Sequence, residues 1–257
     1  LNLYDPDRLK APQLRRAGLF LEAKWTDLDA QLGAALKAAA AKGGRVRILT
    51  EPNSSPSTKK LIQEFLAPFA DGAHVEFEAI SADSERDASE IAYGAATLPH
   101  YRFDRADAVV SLGADFLGTW HSPVEFAKQW VSKRKLNSKS AHSATLSKLV
   151  VFEPGFSITG ANADQRYAVR SGDELLVALG IASELLVHKK VSRYAADSTL
   201  TSYLGSYSAE SVANQVKGAW KADAIRSAAE LLWSHRGHSL VVAGGSAVES
   251  ESAVALQ

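Results

Sequence analysis

The chain has 257 residues, and its 29 basic side chains balance its 29 acidic ones, which argues against nucleic acid as the main partner. It has no cysteine, which excludes disulfides, iron–sulfur ligation and thiol chemistry within these residues. No apolar run reaches the roughly 18–20 residues of a membrane span, and the length suits one large α/β domain or two small ones.

The amino-terminal part alternates between helical and extended patterns. Apolar residues near helical spacing predict one helix over residues 14–41, followed by a short strand over 45–49. A loop rich in Pro and Ser comes next, and we expect Ser57 to cap the helix that follows it. Two further elements are predicted here, a half-exposed edge strand over 74–80 and a short helix over 87–96.

The carboxyl-terminal part alternates continuous apolar strands with helices. Residues 108–112 and 149–152 are apolar nearly throughout, as in strands buried on both faces of a sheet. Ser122-Pro123 opens a helix, with Ser as its cap and Pro at its first position. The other predicted segments are a polar loop over 133–147, helices over 175–188, 209–216 and 221–235, and a strand over 240–243. This order predicts an α/β fold, a Rossmann-like and mostly parallel sheet with helices on both faces.

Two of the predicted strands run into loops that contain glycine and acidic residues. The first is followed by Gly113-Ala114-Asp115, and the second by Glu153-Pro154, with Thr159 and Asp164 close behind. Ligands of open α/β sheets bind where neighbouring strands release loops at their carboxyl ends. We call these two loops, which begin at Gly113 and at Pro154, the strand exits, and they mark where a ligand would lie. On the residues alone, however, roles in capping turns and stabilising loops are favoured.

The remaining candidates are weaker. Gly244-Gly245-Ser246 follows a strand and could cradle a phosphate, but it lacks the dinucleotide spacing and the P-loop lysine, so a tight turn is favoured. His235 and His238 lie three apart at a helix end, where a metal site would need a third ligand that is not evident. No Gly-x-Ser-x-Gly elbow is present, and nothing pairs a nucleophile with a base. We therefore predict no catalytic and no metal-binding residue.

Taken in order, the two exits resemble the molybdopterin oxidoreductase superfamily. That family has an Ala-Asp pair, an apolar strand and Gly-x-Asn, which correspond here to the residues from Ala106 to Asp115. It then has Asp-Pro-Arg, Thr, Ala-Asp and Arg-Pro-Gly-Thr-Asp, which read here as Glu153-Pro154-Gly155, Thr159, Ala163-Asp164 and Arg170-Ser171-Gly172-Asp173. The resemblance implies a molybdopterin-oxidoreductase-like domain over residues 44–257, truncated at its carboxyl end, behind an N-terminal helical segment over 1–43.

The departures from the family pattern shape the expected site. Asp115 stands where the family has Asn, and Gly155 stands where it has Arg, so a cation is lost and a negative charge is added. No Cys, selenocysteine or identifiable Ser stands as a molybdenum ligand. The resemblance therefore implies a vestigial cofactor crevice, whose positions are Gly113, Asp115, Glu153, Pro154, Thr159, Asp164 and Asp173.

One branch of the family fits these departures. Residues 115–120, 122–126 and 159–166 are similar to the large iron–sulfur subunit of alternative complex III, a bacterial quinol:cytochrome c (or other acceptor) oxidoreductase. The similarity implies that the fragment has no cofactor, whereas its parent carries iron–sulfur clusters and no molybdopterin. It implies a peripheral position on the periplasmic face of the inner membrane. The implied partners are other subunits of the respiratory complex and the cluster-bearing domain of the same chain, with no nucleic acid and no direct membrane span.

Three functions remain open on the sequence. The leading one is a structural and docking domain, not itself catalytic, cut from an oxidoreductase subunit of an electron-transfer complex. The second is a fragment of a true molybdopterin guanine dinucleotide-dependent oxidoreductase, whose catalytic ligands lie outside these residues. The third is a free-standing nucleotide-binding Rossmann-like domain.

Overall fold

The computed structural model describes residues 2–79, 81–136, 146–216 and 220–245. The chain forms two compact units, Leu1–Ala79 and Ile80–Gln257. This division differs from the predicted boundary between residues 43 and 44, and the limits of the family-like domain remain a prediction. Most of the predicted loop over 133–147 lies outside the described residues, and so does Ser246.

The first unit combines a hairpin with a small parallel sheet. A 3₁₀ turn at Asn2–Tyr4 precedes the antiparallel pair of β1 and β2, and β3 and β4 pair in parallel across the connecting helix α2. The elements are β1 (Gln13–Arg16), β2 (Leu19–Glu22), α1 (Trp25–Ala41), β3 (Arg45–Thr50), α2 (Pro56–Leu66) and β4 (Asp71–Glu76).

The predicted helix over 14–41 is wrong at its amino-terminal end. Ala17 and Gly18 have φ values of 49° and 85°, the left-handed conformation that a two-residue hairpin turn requires. This turn places Leu14 opposite Leu21, so the apolar residues that suggested one long helix belong to two strands. The helix itself begins only at Trp25.

Three other predicted elements are displaced. Ser55, rather than Ser57, caps α2, because its side chain accepts a hydrogen bond from the Thr58 amide at 3.3 Å and Pro56 follows at the first helical position. The edge strand lies at Asp71–Glu76 instead of 74–80. The short helix lies at Asp83–Tyr93 instead of 87–96.

The second unit is built on a four-stranded parallel sheet in the order β7-β6-β5-β8. This sheet, which has helices on both faces, confirms the predicted α/β fold class. Its strands are β5 (Ala108–Leu112), β6 (Lys148–Glu153), β7 (Gln165–Ala168) and β8 (Ser239–Ala243). Its α-helices are α3 (Asp83–Tyr93), α4 (Pro123–Ser132), α5 (Ile158–Ala161), α6 (Glu174–Ser183), α7 (Ser198–Leu204), α8 (Ala209–Val216) and α9 (Ala222–Ser234). Shorter helical segments are Phe103–Arg105, Arg193–Ala196 and the π-helical Glu184–His188 that continues α6.

Alternate residues of the central strands enter two separate hydrophobic clusters, as the two-residue period of a strand requires. Val110 and Phe152 pack with residues of α6, α8 and α9 on one face. Val109 and Val151 lie in the cluster on the other face, which is rich in aromatic side chains from α4 and the neighbouring loops. The sheet is therefore held from both sides.

The aromatic cluster centres on two stacked rings. The centroids of Phe103 and Phe116 lie 4.2 Å apart, and both side chains are fully buried. Phe126 and Trp130 of α4 complete the contact at centroid distances of 5.0 Å from Phe103 and 5.9 Å from Phe116. Within the described residues, no helix is both long and apolar enough to cross a bilayer.

Replacing Phe103 with Ala tests this cluster. We expect the free energy of unfolding of the whole chain to fall by about 3–5 kcal/mol, because the buried ring leaves a cavity that its neighbours cannot fill. Equilibrium urea unfolding measures the change. Phe156→Ala is the control, because Phe156 is 75% exposed and its removal should change stability by less than about 1 kcal/mol. Equal losses in the two variants would contradict the assigned core.

Candidate functional site

The carboxyl ends of the parallel strands place the predicted exits side by side. Leu112, the last residue of β5, lies opposite Phe152 of β6 and Ala243 of β8. Gly113 follows with a φ of 76°, and its amide donates to the Phe152 carbonyl at 2.8 Å. The loops after β5, β6 and β8 therefore start from one edge of the sheet.

Asp115 joins the β5 exit to the β6 exit. Its Oδ1 accepts hydrogen bonds from the amide and the hydroxyl of Thr159, at 3.0 and 2.8 Å. Its Oδ2 accepts from the amide and the hydroxyl of Thr119, at 3.1 and 3.2 Å. The Thr159 hydroxyl in turn accepts from the Leu117 amide at 2.9 Å. Both carboxylate oxygens are thus engaged by donors of the chain itself.

Glu153, at the end of β6, is a second carboxylate that accepts several hydrogen bonds from the chain itself. Its side chain is 5% exposed and accepts from the Ser157 hydroxyl and from Nε of Arg166, both at 2.5 Å. The Ser157 amide adds a third bond at 3.2 Å. A Cβ atom on Gly160 would overlap the Glu153 carboxylate, so this helix can approach only because residue 160 has no side chain.

The loop that starts at Pro154 is also closed by Arg166. Its Nη2 donates to the Gly155 carbonyl at 3.1 Å, and its guanidinium carbon lies 4.9 Å from the centre of the Phe156 ring. Pro154 and Gly155 are exposed. A cation therefore does reach this exit, but it comes from β7 and is paired with Glu153.

Asp164 lies away from these exits, at the amino end of β6. It accepts from the Leu149 amide at 2.8 Å and from Arg134 at 2.8 and 3.2 Å. Burial alone would raise its pKa. The hydrogen bonds from Arg134 and Leu149, together with the charges of Arg134 and Lys148, outweigh burial and lower the pKa below the ordinary value.

Asp173 differs from the other predicted positions because it has an unused acceptor. Oδ2 of Asp173 and Oε1 of Glu174 are buried without a hydrogen-bond partner among the described residues. The other oxygen of Glu174 accepts from the Gly172 amide at 2.7 Å. Burial raises the pKa of Glu174, and the adjacent charge of Asp173 raises it further. These two oxygens are the acceptors near the predicted positions that the described residues leave without a donor.

Sequence reasoning missed a third carboxylate centre, Glu85 of α3. Glu85 accepts from the Trp120 indole at 2.7 Å and from the Gly245 amide at 3.2 Å, and it contacts Nε2 of His121. Burial alone would raise its pKa, but these bonds and the charge of His121 outweigh burial and lower it. One feature of the sequence could have indicated this centre. Glu85 lies on the same face of α3 as the small residues Ala88 and Ser89, which follow at helical spacing and are buried.

Two weaker candidates have structural roles. The Gly244-Gly245 turn has φ values of 155° and 88°, and the Gly245 amide donates to Glu85 instead of standing open for a phosphate. Nδ1 of His235 lies 2.9 Å from the Leu231 carbonyl at the end of α9. In the part of the chain that the structure describes, no group of three or more His, Cys, Asp or Glu side chains could hold a metal ion.

Comparisons with known proteins support the fold. No protein-family model matches the sequence, and no curated protein matches it. Among solved structures, acetylene hydratase from Pelobacter acetylenicus is similar over 99% of this chain, with a TM-score of 0.61 and 14% sequence identity.

The similarity to acetylene hydratase concerns fold alone. This chain spans about a third of that protein, 35% of its length. The similarity therefore supports the α/β fold, and the resemblance to the superfamily and to its alternative complex III branch stays a prediction.

The Asp164–Arg134 pair predicts a specific acid dependence. A carboxylate whose folded pKa is lowered stabilises the fold above its unfolded pKa of about 3.9, and this contribution is lost as the pH falls through the folded pKa. Asp164→Asn should therefore be less stable than the wild type by about 1 kcal/mol at pH 7, and the difference should shrink below about pH 4.

Urea unfolding between pH 3 and pH 7 measures this difference. Asp87→Asn is the matched control, because Asp87 is exposed on α3. A difference for Asp164→Asn that stayed constant down to pH 3 would contradict the assigned pair.

Proposed function

We propose that the chain is a cofactor-free structural and docking domain within a subunit of a membrane-associated respiratory electron-transfer complex. In such a complex quinol is oxidised and cytochrome c, or a similar acceptor, is reduced. The proposal rests on the similarity of residues 115–120, 122–126 and 159–166 to the large iron–sulfur subunit of alternative complex III.

The observation that carries the proposal is the internal use of the polar atoms at the strand exits. A nucleotide that approached Asp115 or Glu153 would have to displace two threonines in one case, and Ser157 and Arg166 in the other. Each displaced donor loses a hydrogen bond, and the loss is destabilising for the buried Thr159 unless the ligand replaces it. The exits are therefore better suited to bracing the fold than to binding a cofactor.

The docking part of the proposal draws on side chains at the same edge. Phe156 and Ile158, in the loop and helix after β6, are 75% and 57% exposed. Exposed apolar side chains of this size suit contact with another protein surface. The proposed partners are the cluster-bearing domain of the same chain and other subunits of the complex, at the periplasmic face of the inner membrane. In this proposal the iron–sulfur clusters belong to the parent subunit.

Asp173 and Glu174 favour a second candidate function. Their buried, unpartnered oxygens could accept hydrogen bonds from the donor groups of a guanine edge, as in a fragment of a molybdopterin guanine dinucleotide-dependent oxidoreductase. In that case these two residues would hold the nucleotide end of the cofactor. The pterin and its metal would supply the redox chemistry, with ligands outside these residues.

Elemental and pterin analysis of the full-length parent protein, purified from its native membranes, separates the two functions. The proposal predicts iron in several equivalents, with molybdenum, tungsten and pterin each well below one equivalent. One equivalent of molybdenum or tungsten together with a guanine nucleotide would overturn the proposal and establish the alternative.

A further inference from the structure

A groove runs between α2 and β4 in the first unit. Its volume is about 500 Å³, and its apolar floor is formed by Ile62, Leu66 and Phe69, each 9% exposed. A Cβ atom on Gly72 would lie 3.0 Å from the Leu66 carbonyl oxygen, so the helix approaches the amino end of the strand closely. We call this feature the β4 groove.

The edge of β4 that borders the groove has unpaired backbone groups. β4 pairs with β3 in parallel, and the Phe77 amide donates to the Thr50 carbonyl at 2.9 Å. The backbone groups of alternate strand residues point to opposite sides, so Val75 faces β3 as Phe77 does. The amides and carbonyls of His74 and Glu76 therefore point away from β3, and they have no hydrogen-bond partner among the described residues.

The side chains of these two residues are engaged on the side of β3. Nε2 of His74 lies 2.8 Å from Oγ1 of Thr50, and Oε1 of Glu76 accepts from the Asn53 amide at 3.0 Å. The six residues of β4 include no Pro and no Lys, and they pair with β3 without a bulge. These are devices by which edge strands prevent further pairing, so this edge is suited to accept another strand.

A cation lies on the wall of the groove. Lys59, Ile62 and Leu66 follow one another at helical spacing on the face of α2 that lines it. Among the described residues no ion pair includes Lys59, whereas the neighbouring Lys60 pairs with Glu64 at 3.8 Å. A carboxylate that entered the groove beside Lys59 would therefore meet an unpaired opposite charge.

The spacing of these features matches an extended chain. The midpoint between Ile62 and Leu66 lies about 7.5 Å along the helix axis from Lys59, and side chains on one face of a strand are about 6.7 Å apart. A strand beside β4 would thus place an apolar side chain over the floor and a carboxylate, two residues away, near Lys59.

We propose that the β4 groove binds an extended segment of another polypeptide, which adds a strand to the unpaired edge of β4. The backbone of the segment bonds to His74 and Glu76, an apolar side chain covers Ile62 and Leu66, and an acidic residue two positions away pairs with Lys59. The inference goes beyond the proposed function and does not depend on it, because it concerns a surface of the first unit.

A second copy of this chain fits the groove less well. Gly72, His74 and Glu76 alternate along β4 and line the groove, and none of them has an apolar side chain. Two β4 strands paired edge to edge would therefore leave the apolar floor uncovered.

The peptide acetyl-Thr-Glu-Val-Leu-Val-Glu-Thr-amide, titrated into the full chain by calorimetry, tests the proposal. Its sequence reads the same in both directions, and its leucine and glutamates share one face, so the strand direction does not matter. We expect saturable binding of one peptide per chain. Leucine-to-serine replacement should weaken binding by at least about tenfold, because the apolar contact is lost. N-methylation of the leucine and both valines should have a similar effect, because it removes backbone donors and keeps every side chain.

A charge exchange tests the role of Lys59. Lys59→Glu should weaken binding of the peptide by about threefold or more, and a peptide with lysines in place of both glutamates should regain affinity for this variant. Lys60→Glu is the matched control and should bind the first peptide as the wild type does. Absence of binding by the first peptide, equal binding of its N-methylated form, or failure of the charge exchange would overturn the proposal.

His74→Pro distinguishes a second copy from a separate polypeptide. The His74 amide points away from β3, so proline removes an outward donor and leaves the β3 ladder in place. We expect this variant to lose peptide binding while its circular dichroism stays that of the wild type. A wild-type dimer in sedimentation that His74→Pro dissociates, without peptide binding, would overturn the proposal and assign the edge to a second copy. If His74→Pro does not fold, the N-methylated peptide and the charge exchange decide.

Discussion

Buried and half-buried carboxylates that accept hydrogen bonds from neighbouring loops hold the carboxyl edge of this sheet together. Parallel strands release their loops side by side, and each loop exposes backbone donors that need partners once they are buried. Asp115, Glu153 and Glu85 supply those acceptors. In each case a glycine approaches so closely that a side chain would overlap the carboxylate, and these glycines are Gly118, Gly160 and Gly244. The loops after neighbouring strands are therefore held together by hydrogen bonds to these carboxylates.

This bracing works because the sheet beneath it is rigid. The central strands β5 and β6 are apolar and buried on both faces, so their carboxyl ends are fixed relative to one another. The same geometry places a ligand crevice in many α/β proteins. Here the Asp115 and Glu153 carboxylates are occupied by the chain's own donors, whereas Asp173 and Glu174 keep unpartnered oxygens. The engaged carboxylates of Asp115 and Glu153 favour the docking proposal, whereas the unpartnered oxygens of Asp173 and Glu174 favour the cofactor-binding alternative.

The parts that the sequence predicts best are those where one physical requirement dominates. The strands at 108–112 and 149–152 were predicted because continuous apolar runs need burial on both faces, and the structure confirms them. The amino-terminal hairpin was missed because its apolar residues also match helical spacing, and only the Ala17-Gly18 turn separates the two patterns. The Glu85–His121 pair could not be predicted, because its members lie 36 positions apart and neither belongs to a motif. At Asp115 and Thr159 the sequence predicted the place, and only the structure shows that the two residues bond each other.

A double-mutant cycle between Asp115 and Thr159 tests whether the Asp115 carboxylate holds the two strand exits together. Asp115→Asn, Thr159→Val and the double variant are compared with the wild type by urea unfolding at pH 7. If the carboxylate braces the two exits, the two substitutions should be coupled by about 1–2 kcal/mol, because Thr159→Val removes and Asp115→Asn weakens the same hydrogen bond from the Thr159 hydroxyl to the Asp115 carboxylate. Additive losses, with a coupling energy near zero, would show that the Asp115 carboxylate does not hold the exits together.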